Sequence, residues 1–144
     1  MKFASPMVRL TERQYEVIVG HCYDEYPDEA CGLLTGRLVG VESDGRITDA
    51  VPCVNAAHSA VTYTVEGSDF LRVSRAAEAR GEEIVGVWHS HTHTDAYPST
   101  TDVRLASDPM WIYAIVSLRD GAPVLRAYRI RDGVIAEIPV TLEA

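Results

Sequence analysis

The residues best suited to chemistry lie close together in the stretch Gly86–Asp102, which reads GVWHSHTHTDAYPSTTD. It holds His89, His91 and His93, three of the five histidines, followed by Asp95 and Asp102. Neutral imidazole nitrogens plus one carboxylate oxygen are the donors that a borderline cation such as zinc takes. The apolar run Ile84–Trp88 precedes the histidines and predicts a strand over Glu83–Trp88 that delivers them at its end. Positions i and i+2 of a strand face the same side, so His89 and His91 are expected to face one ion. A tetrahedral catalytic site takes a third protein ligand and keeps one position open for water. The candidates are His93, Asp95 and Asp102. His93 keeps the alternation only if the strand continues, and the polar residues up to Pro98 read as a loop. Asp95 lies in that loop, with its direction open. Asp102 falls in the first turn of a predicted helix capped by Ser99. A rigid helix folding back on the strand end favours Asp102 on geometry and leaves the other two in play.

Each of these residues has a plainer role when taken alone. Asp102 suits a helix N-terminus through the dipole, and Ser99 suits a cap. A hydrolytic metal site also needs a group to take a proton from water. Glu29 stands directly before the apolar run Ala30-Cys31-Gly32-Leu33-Leu34. An acid at such an edge is partly desolvated, which raises its pKa toward that of a useful general base.

Local signals lay out the elements that must carry these groups. Thr11 with Gln14 forms a capping box. Tyr15, Ile18, Val19, Cys22 and Tyr26 then recur at helical spacing up to Pro27. Strands are expected over Ala30–Thr35 and Leu38–Val41. Asp44-Gly45 is read as a turn into a strand near Ile47–Asn55. Val61–Val65 alternates and reads as another strand. Ser68 is expected to cap a helix over Asp69–Arg80 that stops at Gly81. After a short helix closed by Asp108-Pro109, three strands follow at Trp111–Leu118, Val124–Ile130 and Val134–Val140. Asp120-Gly121 and Asp132-Gly133 supply the turns between them. Helices mixed with meandering strands make an α+β, three-layer arrangement rather than repeated βαβ units.

The chain has 144 residues, 47% hydrophobic and 24% charged, so a single domain over 1–144 with a real core is expected. Its net charge of −8 and the scatter of its arginines argue against a nucleic-acid partner. No apolar run approaches a membrane span. Cys22, Cys31 and Cys53 are odd in number and irregularly spaced. That pattern suits small buried apolar residues in a reducing cytoplasm rather than a disulfide framework.

Taken together, Glu29 before a Gly-containing apolar strand, His89-Ser90-His91 and Ser99-Thr100-Thr101-Asp102 resemble the JAMM metalloproteases, the catalytic branch of the MPN domain family. Asp102 follows His91 by eleven residues, as the family pattern requires. Thr92 stands where many members carry proline, a departure that spares every motif position. The resemblance implies the MPN fold, which is cytidine-deaminase-like, with a curved, mostly antiparallel sheet flanked by helices. It implies one zinc per chain held by His89, His91 and Asp102, with Glu29 as general base and Ser99 as oxyanion donor. The run HSHT…AYPS-x-TDV is similar to a branch that hydrolyses the amide between a ubiquitin-like sulfur carrier and cysteine. The implied partner is a carrier with a C-terminal Gly-Gly tail, and the implied location is cytoplasmic. An extended tail pairs with an exposed strand edge, expected at Tyr63, Thr64 and Val65. Two other readings stand beside this one. The first is an isopeptidase or processing peptidase for another ubiquitin-like protein. The second is a non-catalytic MPN scaffold, a class that loses the ligands this chain keeps. A TIM-barrel amidohydrolase needs about 250 residues, and a cupin needs further ligands absent here.

Overall fold

The computed structural model describes residues 7–37 and 44–144. In chain order these form β1 (Val8–Thr11), α1 (Glu12–Glu25), β2 (Cys31–Gly36), β3 (Ile47–Cys53), α2 (Gly67–Ala79), β4 (Glu83–His91), α3 (Thr100–Leu105), β5 (Ile112–Ser117), β6 (Val124–Arg131), β7 (Val134–Ile138) and β8 (Val140–Glu143). Six strands make one sheet in the order β3-β2-β4-β5-β6-β7. Only the β4–β5 pair within it is parallel. The expected α+β class and mostly antiparallel sheet are therefore observed.

The capping box at the start of α1 forms as expected. The Thr11 hydroxyl accepts the Gln14 amide at 3.0 Å, and the Gln14 side chain accepts the Thr11 amide at 2.9 Å. The helix buries Ile18 and Cys22 against one sheet face, with Leu34, Val85, Trp88 and Val116. On the opposite face Leu33, Val87 and Tyr113 pack with Val73 of α2 and Val103 of α3. The sheet thus lies between α1 on one side and α2 with α3 on the other.

One irregularity decides which way the histidines point. Leu34 pairs with Gly86 but Thr35 pairs with Ile84, which leaves Val85 as an extra residue on β4. Such a bulge resets the alternation. Beyond it Val87 packs toward α2, so His89 and His91 follow on that face. Trp88 and Ser90 turn toward α1. The close approach of Trp88 to β2 requires Gly32. A Cβ at Gly32 would lie 2.1 Å from the Trp88 ring and 2.5 Å from the Val51 carbonyl oxygen.

Several boundaries differ from the expectations. β4 runs on to His91, because the buried ladder to β5 continues through His89↔Ile115 and His91↔Ser117. The expected strand Val134–Val140 breaks at Pro139 into β7 and β8. β8 leaves the large sheet to pair in parallel with β1, a strand not expected at all. Helix α2 is capped by Glu66 rather than Ser68, its carboxylate accepting the Ser68 and Asp69 amides. Val61–Val65 is not a regular strand; a single bridge joins Val65 to Asn55. The expected strand Leu38–Val41 lies outside the described residues. Cys22, Cys31 and Cys53 are all free and buried. No described helix is long and apolar enough to cross a membrane.

Candidate metal centre

Three donor atoms converge where β4 ends. His89 Nε2 lies 3.1 Å from His91 Nε2 and 3.2 Å from Asp102 Oδ2, and His91 Nε2 lies 3.0 Å from the same oxygen. Both histidines are buried, at 2% and 4% exposure. β4 sets the imidazoles two residues apart on one face, and α3 supplies the carboxylate. The start of α3 is built by a second capping box. The Asp102 amide donates to Ser99 Oγ at 3.0 Å, and the Ser99 amide donates to Asp102 Oδ2 at 2.9 Å. The cap therefore aims the carboxylate oxygen at the histidines.

The donor chemistry fits a tetrahedral zinc ion. His91 Nδ1 lies 2.7 Å from the Asp95 carbonyl oxygen, which assigns its proton to Nδ1 and leaves the Nε2 lone pair facing inward. Donors about 2.0–2.1 Å from a tetrahedral ion sit about 3.3 Å apart, close to the separations seen. Two nitrogens and a carboxylate oxygen crowded in a buried spot are three acceptors that one cation satisfies together. Among the described residues, His89, His91 and Asp102 are the one such group.

Electrostatics act on the two histidines in opposite directions. Burial lowers the His89 pKa against the pull of Asp102, favouring the neutral form that binds metal. Burial also works on His91, but its contacts with Asp102 and the Asp95 carbonyl outweigh it and raise the pKa. Burial would raise Asp102, yet its contacts with His89 and His91 hold it well below the usual carboxylate range.

Glu29 stands beside this group just before β2. It is 5% exposed, and its Oε1 is buried with no hydrogen-bond partner among the described residues. Burial pushes its carboxyl up to about 8, with His91 pulling down and Asp102 pushing up. Register explains its place: Cys31 pairs with His89 across β2 and β4. The Ala30 amide also donates to Ser90 Oγ at 2.8 Å.

The extra donors considered from sequence do not join the cluster. His93 is exposed, and its Nδ1 lies 2.8 Å from the Thr92 hydroxyl. The Asp95 carboxylate pairs with Arg119 at 2.6 Å; only its carbonyl reaches the site. Tyr63 does reach it, stacked on His89 with ring centroids 4.3 Å apart. Tyr63 and Val65 also line a cavity of about 490 Å³ with Phe70, Leu105 and Trp111. Two contributors escaped the sequence reading: the Asp95 carbonyl and Asn55, which holds the loop bearing Tyr63.

Fold and site together define the class. Residues 11–131 match the family of prokaryotic homologs of the JAB domain, and the chain belongs to that family. Among its relatives is the CysO-cysteine peptidase of Mycobacterium tuberculosis, 43% identical over 126 residues covering 87% of this chain and 84% of the relative. The desampylase of Haloferax volcanii is 39% identical over 93 residues, 63% of each chain. A solution structure of a Desulfitobacterium hafniense protein superposes with a TM-score of 0.84 at 32% identity, covering 95% of this chain and 93% of the other.

Proposed function

We propose that this protein is a zinc-dependent amide hydrolase that cleaves the bond between the C-terminal glycine of a ubiquitin-like sulfur carrier and cysteine. The observation that carries this reading is the convergence of His89, His91 and Asp102 within 3.0–3.2 Å beside the buried carboxyl of Glu29. Similarity to the CysO-cysteine peptidase over most of the chain supports the substrate. In this reading His89, His91 and Asp102 hold one zinc ion, which when bound supplies a Lewis acid for water and the scissile carbonyl. Glu29 takes the proton from the attacking water and delivers it to the leaving amine, a task suited to a buried carboxylate whose Oε1 has no other partner among the described residues. Ser99 Oγ already accepts the Asp102 amide, so its own proton is available to the oxyanion of the tetrahedral intermediate.

The carrier's tail runs past Tyr63, Thr64 and Val65. The Thr64 amide and carbonyl turn inward, to Asn55 Oδ1 and the Ala56 amide. The backbone groups of Tyr63 and Val65 make no hydrogen bond to a described residue, which leaves them for an added strand. Gly-Gly suits a tail whose backbone approaches so closely. The domain extends over 1–144 in this proposal, and the protein works in the cytoplasm.

Incubating the zinc-loaded protein with a carrier–cysteine adduct should release one cysteine per carrier, followed by mass. Glu29→Gln should bind zinc with the same stoichiometry and lose at least about a thousandfold in rate. Full activity in that variant would refute the mechanism. Cleavage of an isopeptide-linked ubiquitin-like conjugate in preference to the cysteine adduct would favour the desampylase-like reading, which the similarity to that relative motivates.

A further inference from the structure

The loop between β3 and α2 is organised by one side chain. Asn55 is 8% exposed, and its amide is fully used. Its Oδ1 accepts the Ala57 and Thr64 amides, each at 3.0 Å. Its Nδ2 donates to the Glu29 carbonyl at 2.9 Å and to the Thr62 carbonyl at 3.1 Å. The Glu29 amide in turn donates to the Ser59 carbonyl at 2.8 Å, within the same loop. Both peptide groups of Glu29 are therefore held by residues 55–59. The next residue, Ala30, exchanges hydrogen bonds with Ser90, which sits between His89 and His91. The other end of the clamp holds Thr62 and Thr64, on either side of Tyr63, whose ring lies on His89.

We infer that Asn55 is a positioning residue that locks the backbone of Glu29 and the Tyr63 loop into one unit against the histidine pair. The inference rests on the reading of Glu29 as proton carrier. Only a carboxamide offers two donors and two acceptors from one short side chain. A proton carrier works within hydrogen-bond reach of its target, and displacement by about 1 Å costs on the order of a hundredfold in rate. Aspartate at position 55 keeps the acceptors for Ala57 and Thr64 but has no donor for Glu29 or Thr62. The substitution Asn55→Asp thus separates the clamp on Glu29 from the turn that Asn55 also builds.

The test compares wild type, Asn55→Asp and Asn55→Ser, each zinc-loaded, on the carrier–cysteine adduct and by amide hydrogen exchange. Both variants should keep one zinc per chain while kcat falls about 10- to 100-fold. In the Glu29→Gln background the same changes should slow the residual reaction less than about twofold, because the effect passes through Glu29. Exchange at the Glu29 amide should rise at least about tenfold in both variants, and at the Thr64 amide in Asn55→Ser, with β5 and β6 unchanged. Unchanged kcat in the folded variants, or an equal loss in the Glu29→Gln background, would overturn the inference. If wild type fails to cleave the adduct, the substrate reading falls, and exchange at Glu29 alone decides the clamp: no change there overturns it. Asn55→Ser serves where Asn55→Asp does not fold.

Discussion

At the residue scale the buried carboxyl of Glu29 has a consequence for stability in the metal-free protein. Its pKa is raised from 4.5 to about 8 in the folded chain. Between those values the native state binds more protons than the unfolded one, so stability falls as pH rises through the window. His91, raised by its partners, adds to the fall as pH climbs through its own folded pKa. Asp102, lowered in the folded state, contributes stability that is complete above the usual carboxylate range and is lost only in strong acid. His89, lowered by burial, contributes in the opposite sense as pH rises toward 6.5, so the Glu29 share is read by difference: between pH 5 and pH 8 the urea midpoint of the metal-free wild type should fall relative to that of Glu29→Gln. An equal slope in the variant would show Glu29 to be ionised throughout. The raised pKa was legible in the sequence, since an acid opening an apolar strand is desolvated. Asn55 was not, because an asparagine in a polar loop carries no sign of whether its amide faces solvent or a neighbouring backbone.

At the element scale α3 does two jobs with one capping box, and they can be separated. Ser99→Asp keeps a capping acceptor for the Asp102 amide but sets a negative charge where the proposed mechanism places an oxyanion. The unfolding free energy should change by less than about 1 kcal/mol, whereas hydrolysis should fall at least about a hundredfold; undiminished turnover would remove Ser99 from the mechanism. β4 depends on a glycine of its neighbour. Gly32→Ala drives a Cβ into the Trp88 ring and the Val51 carbonyl, so a loss of about 2–3 kcal/mol in urea unfolding is expected. Capping signals made α1 and α3 legible, because Thr11 with Gln14 and Ser99 with Asp102 are local pairs three residues apart. The extent of β4 was hidden, because its last residues, His89, Ser90 and His91, are polar in sequence and held by β5, more than twenty residues on. β1 and β8 were hidden for a stronger form of the same reason. Each is four residues long, and their register joins Val8 to Val140. The Tyr63 segment alternates like a strand, yet Asn55 side-chain bonds replace most of the ladder that would make it one.

At the scale of the whole molecule, an ion that binds the native site stabilises the fold by mass action. Free zinc at about a thousandfold over its Kd would contribute about 4 kcal/mol, and for a chain of this size its removal by chelation would lower Tm by up to about 14 °C. A calorimetric scan with and without chelator checks this, and an unchanged Tm would count against a resident ion. The placement of the ligands limits the gain. His89, His91 and Asp102 all come from the β4–α3 connection, fourteen residues end to end. Glu29 and Tyr63 reach the site only through long-range sheet and loop contacts. Closing a loop of that length costs about 3 kcal/mol, so any residual affinity of the denatured chain for zinc lies in this local segment, whereas the proposed proton carrier is lost with the sheet. Metal content therefore reports on one local segment of the proposed site and leaves the placement of Glu29 unread, so zinc stoichiometry and turnover are separate assays of this fold.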